Sequence, residues 1–545
     1  MKIQRHLLFL MFTLFAVSPG NAKGVQSPDG ALSVDVGLTD SGSGHFSVSL
    51  NGEAVVENSP LGIRLEESEF DFTTGLKAIK VRQRRIDERY TMLVGKRLER
   101  RDHCTESVHS FQNPAGERVD IVFRVYNDAV AFSYRVHNEG KTKVEQETSG
   151  FHFKSVENTW SMTHRENDEV WYLKKPVGAA LEKSSLSFPV LVETKSKKWA
   201  LISESNVSNY PLSSGRFKGN QIAYEFPNPD TAVNRVGPDF VSPWRVMILG
   251  DQLATIVESC VIDHLAPPTR MKDLSWIEPG ITSFPWWGDK LANSSPDTLK
   301  KYMDLSAEMN WRFIEFDIAL IGSPLQAIDK WKTVDWIKDV VDYGLERGVL
   351  CYGWDDVKNL DTPEKRADIF SKYNEFGVRG IKVDFIDSYT QESRKMVEEL
   401  IQDAAKYKLM VSFHGAQCPR GFARTYPHVI TYEAVKGSEH YLFNKRIDPR
   451  HNCTLPFTRN VLGSMDYTPV AFSTKLRRTT MAHELALSVV YESGWQALCD
   501  VPAAYLNSVA KDFLSQLENT WDETRFLDGY PGEYACIARR KGDKW

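Results

Sequence analysis

Cysteine is scarce in this sequence, and none of it is spaced for chemistry. The seven cysteines (Cys104, Cys260, Cys351, Cys418, Cys453, Cys499 and Cys536) are odd in number and scattered, with no CxxC pair and no Cys/His array suited to zinc. They read as free buried thiols with room for one disulfide. No HExxH array, no Gly-x-Ser-x-Gly elbow and no glycine-rich phosphate loop after a predicted strand occurs. Zinc peptidases, serine esterases and dinucleotide-binding folds are thereby set aside. Basic tracts are also missing and the formal charge is −5, which argues against a nucleic-acid partner. After the first 22 residues no run is long and apolar enough to read as a membrane span.

What is present begins with the three parts of an export signal. Lys2 and Arg5 precede an apolar run over 7–17, and Gly20-Asn21-Ala22 puts small residues before a cut at Lys23. No cysteine follows to accept a lipid, so the mature chain is expected to be soluble, periplasmic or secreted. So few plausible bridges fit a bacterial periplasm better than a disulfide-rich extracellular module. Hydrophobic content of 42% and charged content of 26% are those of a globular protein, and 545 residues call for two or three domains.

Over 23–265 the texture is β. Leu32, Val34, Val36 and Leu38 alternate with polar residues, and Val119, Ile121, Phe123, Val125 mirror Val130, Phe132, Tyr134, Val136 across a turn at Asn127-Asp128. A large antiparallel sandwich is predicted. Pro267-Pro268 mark a boundary, after which short apolar strands over 281–287, 313–321, 348–354, 380–385, 409–414 and 429–435 alternate with amphipathic helices. Ser295-Pro296 and Thr362-Pro363 open two of these helices. Six such units before residue 440, with room for two more, predict a (β/α)8 barrel over 266–515. Residues 516–545 return to β texture, the expected start of a C-terminal β-domain within which the chain stops.

In a parallel barrel, chemistry collects at the C-terminal ends of the strands. Those ends carry Trp286-Trp287, Asp317, Trp354-Asp355-Asp356, Lys382, Asp384, His414 and Glu433. Each tryptophan taken singly is better read as core, and Asp384 taken alone could cap a helix. Together, indole faces and hydroxyl-accepting carboxylates suit a neutral polyhydroxylated ligand, and glycoside cleavage needs two carboxyls across one bond. Asp384 is the first. Glu439, in the loop beyond Gly437, can reach over the cleft as acid/base; Glu433 ends its strand as a fixed ligand, its plainer reading being a salt bridge to Lys382 or Lys436. Trp287, Asp317, Trp354, Lys382 and His414 are the expected sugar-binding residues, and clustered glutamates would suit a hard cation such as calcium.

The runs 273–280, Trp286-Trp287, 380–387, 413–416, 424–427, 432–435 with Glu439, 455–459 and 465–469 resemble glycoside hydrolase family 97, exported bacterial α-glycosidases. The resemblance implies an N-terminal β-super-sandwich, a catalytic barrel, a C-terminal β-domain and a catalytic calcium ion. It covers inverting α-glucosidases and retaining α-galactosidases. The retaining branch uses an aspartate matched here by Asp384 as nucleophile, and an acid/base glutamate six positions after a calcium ligand, which falls on Glu439 after Glu433. The inverting branch carries a glutamate near the fifth strand end, where this chain reads His414-Gly415-Ala416. The resemblance is thus to the retaining branch, with Glu433, Glu439 and, from the sandwich, Glu169 as implied calcium ligands. Glu166 and Asp168 stand close to the last. An inverting α-glucosidase and a non-catalytic sugar-binding protein are the competing readings, and galactose, glucose and β-L-arabinopyranose stay open as the sugar.

Overall fold

The computed structural model describes residues 15–16, 24–227 and 235–545. The export signal expected over 1–22 lies outside them except for that pair. Among the described residues no helix is long and apolar enough to cross a membrane, and all seven cysteines are unpaired.

The alternating residues of the N-terminal half build antiparallel sheets. Arg118–Tyr126 and Ala129–Val136 pair in the register the alternation predicts, with Phe123 opposite Phe132 and Val125 opposite Val130. They belong to the largest sheet; a four-stranded sheet (Val25–Gln26, Leu32–Leu38, Gly44–Leu50, Glu53–Leu61) covers one of its faces. Phe46 fills the space between them, its ring centroid 5.5 Å from Phe123, 5.3 Å from Phe132 and 5.7 Å from Phe151. The opposite face of the large sheet, with Trp160, Leu201 and Ile248, runs without a break into the barrel core around Phe284 and Leu299. Sandwich and barrel therefore share one apolar core.

Seven parallel strands form the barrel: β1 (Gly280–Phe284), β2 (Phe313–Glu315), β3 (Leu350–Asp356), β4 (Gly380–Asp384), β5 (Met410–Phe413), β6 (Val429–Tyr432) and β7 (Trp495–Cys499), in the order β6-β5-β4-β3-β2-β1-β7. Between β6 and β7 the ring is closed by an irregular segment. Asp466 N donates to Tyr432 O (2.8 Å) and Cys499 N to Pro469 O (3.2 Å). Thr468 at φ 54° and Val470 at φ 73°, with Pro469 between them lacking an N–H, keep this segment from forming a regular ladder. An eighth strand position is thus occupied without an eighth strand.

Two strands stop earlier than their apolar runs predict. β1 ends at Phe284 because Pro285 cannot donate to the ladder, so Trp286 and Trp287 lie on the single turn Pro285–Gly288. β2 ends at Glu315 because Asn293 takes over the backbone: Asp317 N donates to Asn293 Oδ1 (3.0 Å) while Asn293 Nδ2 donates to Asp317 Oδ2 (3.2 Å). The helix starts follow their caps. Ser295 Oγ accepts from Thr298 N (3.2 Å) and Thr362 Oγ1 from Lys365 N (3.4 Å). The C-terminal strands Glu523–Tyr530 and Tyr534–Arg540 form a hairpin, and Tyr530 packs edge-on against Trp160 of the sandwich at 5.5 Å.

The closed end of the barrel is filled by Trp495, stacked on Tyr352 at 4.2 Å with an 8° interplanar angle. Gly380 opens β4 at this point. A Cβ there would lie 2.3 Å from Trp495 Cη2 and 2.7 Å from Met410 O. Gly380→Ala is therefore expected to lose about 1–3 kcal/mol by overpacking. A urea midpoint equal to that of the parent would contradict this packing.

Candidate active site

The period of two along β4 points Lys382 and Asp384 to the same side, into the barrel mouth. Asp384 is then fixed by its neighbours. Phe385 takes a left-handed conformation (φ 66°) that turns its own N–H back onto Asp384 Oδ1 at 2.7 Å. From β3, Trp354 Nε1 donates to Asp384 Oδ2 at 3.0 Å. Gly415, after β5, leaves the carboxyl its space: a Cβ there would lie 2.7 Å from Asp384 Oδ1.

Lys382 is buried among acids, its Nζ 2.9 Å from Glu315 Oε1 at the end of β2 and 3.2 Å from Glu439 Oε1. His414 is engaged at both nitrogens. Nδ1 lies 3.1 Å from Glu433 Oε2, and Nε2 2.7 Å from Asp466 Oδ2 on the irregular closing segment. Glu433 follows β6 and also accepts from Gly415 N at 3.0 Å. Glu439 lies on the 3-10 turn Ser438–Phe443, held down by Trp287 Nε1 donating to Ser438 O at 3.2 Å. Donor atoms of His414, Glu433 and Glu439 lie within 4.8 Å of one another.

The sandwich adds a residue from outside the barrel. Its loop after Asn158–Thr163 is pinned at three points: Glu166 Oε2 accepts from Tyr389 N (2.9 Å), Asp168 accepts from Tyr389 OH (2.6 Å) and Cys418 N (2.9 Å), and Tyr172 N meets His451 Nδ1 at 3.4 Å. Between these pins stands Glu169. Burial and the charges of Glu433 and Asp384 together push its carboxyl up to about 10, the mark of a carboxylate facing others.

Burial raises both central acids, but the groups that oppose it differ. Burial raises Asp384 and Glu433 adds to it, while His414, Lys382 and the Trp354 N–H pull it back. Glu439 is pushed up to about 7 by burial and by Glu433 and Glu315, against Lys382 and His414. Burial alone would also raise Glu433, but His414 and the Gly415 N–H bring it down to about 2. His414 itself is lowered by burial and raised further by Glu433 and Asp466, so it stands well above the usual imidazole range. The mouth thus holds carboxyls spread across neutrality, with Glu433 well below it, Glu439 near it and Glu169 above it, so that proton-bearing and ionised groups stand side by side as acid and base work on a glycosidic bond requires.

Comparison with known proteins agrees on the family. The models for glycosyl-hydrolase 97 N-terminal, glycoside hydrolase 97 and glycosyl-hydrolase 97 C-terminal, oligomerisation, match residues 25–268, 276–435 and 520–545. The chain belongs to glycoside hydrolase family 97. A Streptomyces bingchenggensis protein named probable retaining alpha-galactosidase is 37% identical over 98% of this chain and 85% of its own. The retaining alpha-galactosidase of Bacteroides thetaiotaomicron is 26% identical over 100% of this chain and 89% of its own. Among solved structures, a beta-arabinopyranosidase superposes with a TM-score of 0.87 at 27% identity, covering 96% of this chain and 89% of that one. This family 97 chain is accordingly a glycoside hydrolase.

Of the residues expected from the sequence, Asp384, Glu439, Glu433, Lys382, His414 and Trp354 come together in this family 97 mouth, and Glu169 faces them. Asp317 is buried beside Glu315, whose charge adds to burial in raising it. Trp287 is 6% exposed and braces the Glu439 turn through its N–H. Neither lysine proposed for Glu433 pairs with it: Lys382 takes Glu315 and Glu439, and Lys436 lies over the Trp171 ring at 4.8 Å. Sequence reading missed Glu315, Asp466 and Arg459. The buried Arg459 donates to Glu433 O (3.2 Å) and Tyr432 O (2.9 Å), holding the end of β6.

Trp354→Phe keeps the ring and removes one N–H from Asp384. Without that donor the anion is less favoured, so the pKa of Asp384 rises and the acid limb of kcat/KM moves to higher pH. A bond to a charged group is worth about 1.5–3 kcal/mol, so kcat/KM should fall roughly 10- to 100-fold. An unmoved acid limb would contradict this role for the indole.

Proposed function

We propose that the enzyme is a calcium-dependent retaining α-galactosidase with Asp384 as nucleophile and Glu439 as acid/base. The observation that carries this reading is the asymmetry between the two carboxyls. Asp384 receives two N–H donors that favour its anion, whereas Glu439 is buried against Glu433 and held near neutrality. Two supports stand beside it. The two relatives described above are named probable retaining alpha-galactosidase and retaining alpha-galactosidase, and the stretch His414-Gly415-Ala416 after β5, where the inverting branch is expected to carry a glutamate, has no carboxylate.

Asp384 attacks the anomeric carbon while Glu439 gives its proton to the glycosidic oxygen; the leaving group departs and a β-linked glycosyl ester remains. Glu439, now an anion, takes a proton from water as that water attacks the same carbon, which frees Asp384 and yields the α-anomer. Glu169, Glu433 and Glu439 offer the oxygen donors a hard cation takes, and the repulsion among them is what such an ion would offset. Bound there, calcium would supply positive charge beside the leaving oxygen. His414, engaged by Glu433 and Asp466, stays a charge partner. The reading includes export, after the signal at residues 1–22. A second sugar has one specific support: the beta-arabinopyranosidase at 27% identity acts on a pyranose that is galactose without its C6 hydroxymethyl group.

Proton NMR of α-galactoside hydrolysis should show α-galactose first, and Asp384→Gly should be inactive until azide restores turnover with a β-galactosyl azide as product. β-Galactose appearing first would overturn retention. Exhaustive chelation should abolish most activity, and added calcium should return it. Full activity in a metal-free preparation, checked by elemental analysis, would remove calcium from the account.

A further inference from the structure

We infer that the turn carrying Glu439 ends in a binding platform for the leaving group, a pyranose ring seated on Phe443 with Lys290 beside it. The inference rests on Glu439 being the acid. An acid must touch the glycosidic oxygen, so the sugar that departs lies on the Glu439 side of the cleft. From Glu439 the turn continues to Phe443, four residues on at about 2 Å rise each, a span of about 8 Å that is comparable to one pyranose ring and runs from buried to exposed side chains.

The side chains along this wall divide by burial. Tyr441 is buried and Leu442 packs on the core, but Phe443 is 50% exposed and outside that core. Its visible partner is a cation: Lys290 Nζ lies 5.0 Å from the Phe443 ring centroid and 5.6 Å from that of Trp286. Trp286 in turn donates from Nε1 to Pro324 O at 2.7 Å, tying in the loop where Leu325 is also exposed. A half-bare aromatic face next to an ammonium group matches a sugar, whose C–H face stacks on the ring while a hydroxyl accepts from Lys290. Continuity with the acid distinguishes this patch from other exposed apolar residues such as Val509.

The test compares substrates with and without a ring in the leaving group. Fluorides of α-galactose, α-glucose and β-L-arabinopyranose first identify the glycone, so a failed galactose reading shows in which fluoride the parent enzyme cleaves. Phe443→Ala should then lower kcat/KM for the matching disaccharide about 3- to 10-fold, through KM, and leave the fluoride unchanged. Phe443→Trp should restore the disaccharide. Glu439→Gln tests the acid separately: kcat/KM for the fluoride, which needs no proton to depart, should fall far less than for the disaccharide, while kcat falls for the fluoride because the water-activating base is lost. Equal effects of Phe443→Ala on both substrates, or none on either, would overturn the platform. So would a change in sedimentation with the disaccharide-to-fluoride ratio unaltered, which would assign Phe443 to contact between copies of the chain.

Discussion

Charge crowding in a buried mouth is the constraint on which the rest of this structure turns. Glu315, Asp384, Glu433, Glu439 and Asp466 meet at the barrel mouth, with Glu169 facing them from the sandwich, and buried carboxylates side by side cannot all ionise. Lys382 and His414 are placed to offset them. Lys382 shares its charge between Glu315 and Glu439, and His414 joins Glu433 to Asp466, so each cation bridges acids from different barrel segments. Removing either cation would leave uncompensated anions, a larger loss than that of a single contact. The same crowding leaves Glu439 near neutrality and gives the site an acid.

The sandwich is more than a support. Asp168 is fully buried and accepts from two barrel groups, which locks its loop and leaves Glu169 facing the acids. A second buried chain runs from Glu147 through Arg245 and Glu204 to Arg420, on the barrel segment after β5 that also carries Gly415 and Cys418. Through these contacts and the shared core, sandwich and barrel together present the acids of the cleft, which preorganisation of a site assembled from two domains demands.

Much of the fold was legible because period-two alternation and the repeated strand–helix unit are local signals. The positions of Lys382, Asp384 and Glu433 at strand ends were legible for the same reason. Contacts across strands were not. Trp354 reads from sequence as a face for sugar, yet its N–H is spent on Asp384, and nothing in β3 alone reveals that neighbour. Asp466 reaches His414 from 52 residues away, on a segment whose left-handed residues hide it from any strand pattern. Among Glu166, Asp168 and Glu169 the family resemblance picked Glu169, but no local pattern of the sequence did. Burial separates them, turning Asp168 into an anchor and leaving Glu169 toward the acids.

The central claim is that this arrangement makes Asp384 the group that bonds to sugar. A 5-fluoro glycosyl fluoride slows breakdown of a glycosyl ester more than its formation, so the intermediate accumulates and can be located by mass spectrometry of proteolytic fragments. The account predicts one added glycosyl mass, on the peptide containing Asp384. A label on another carboxylate, or no label while the reagent is consumed, would contradict it.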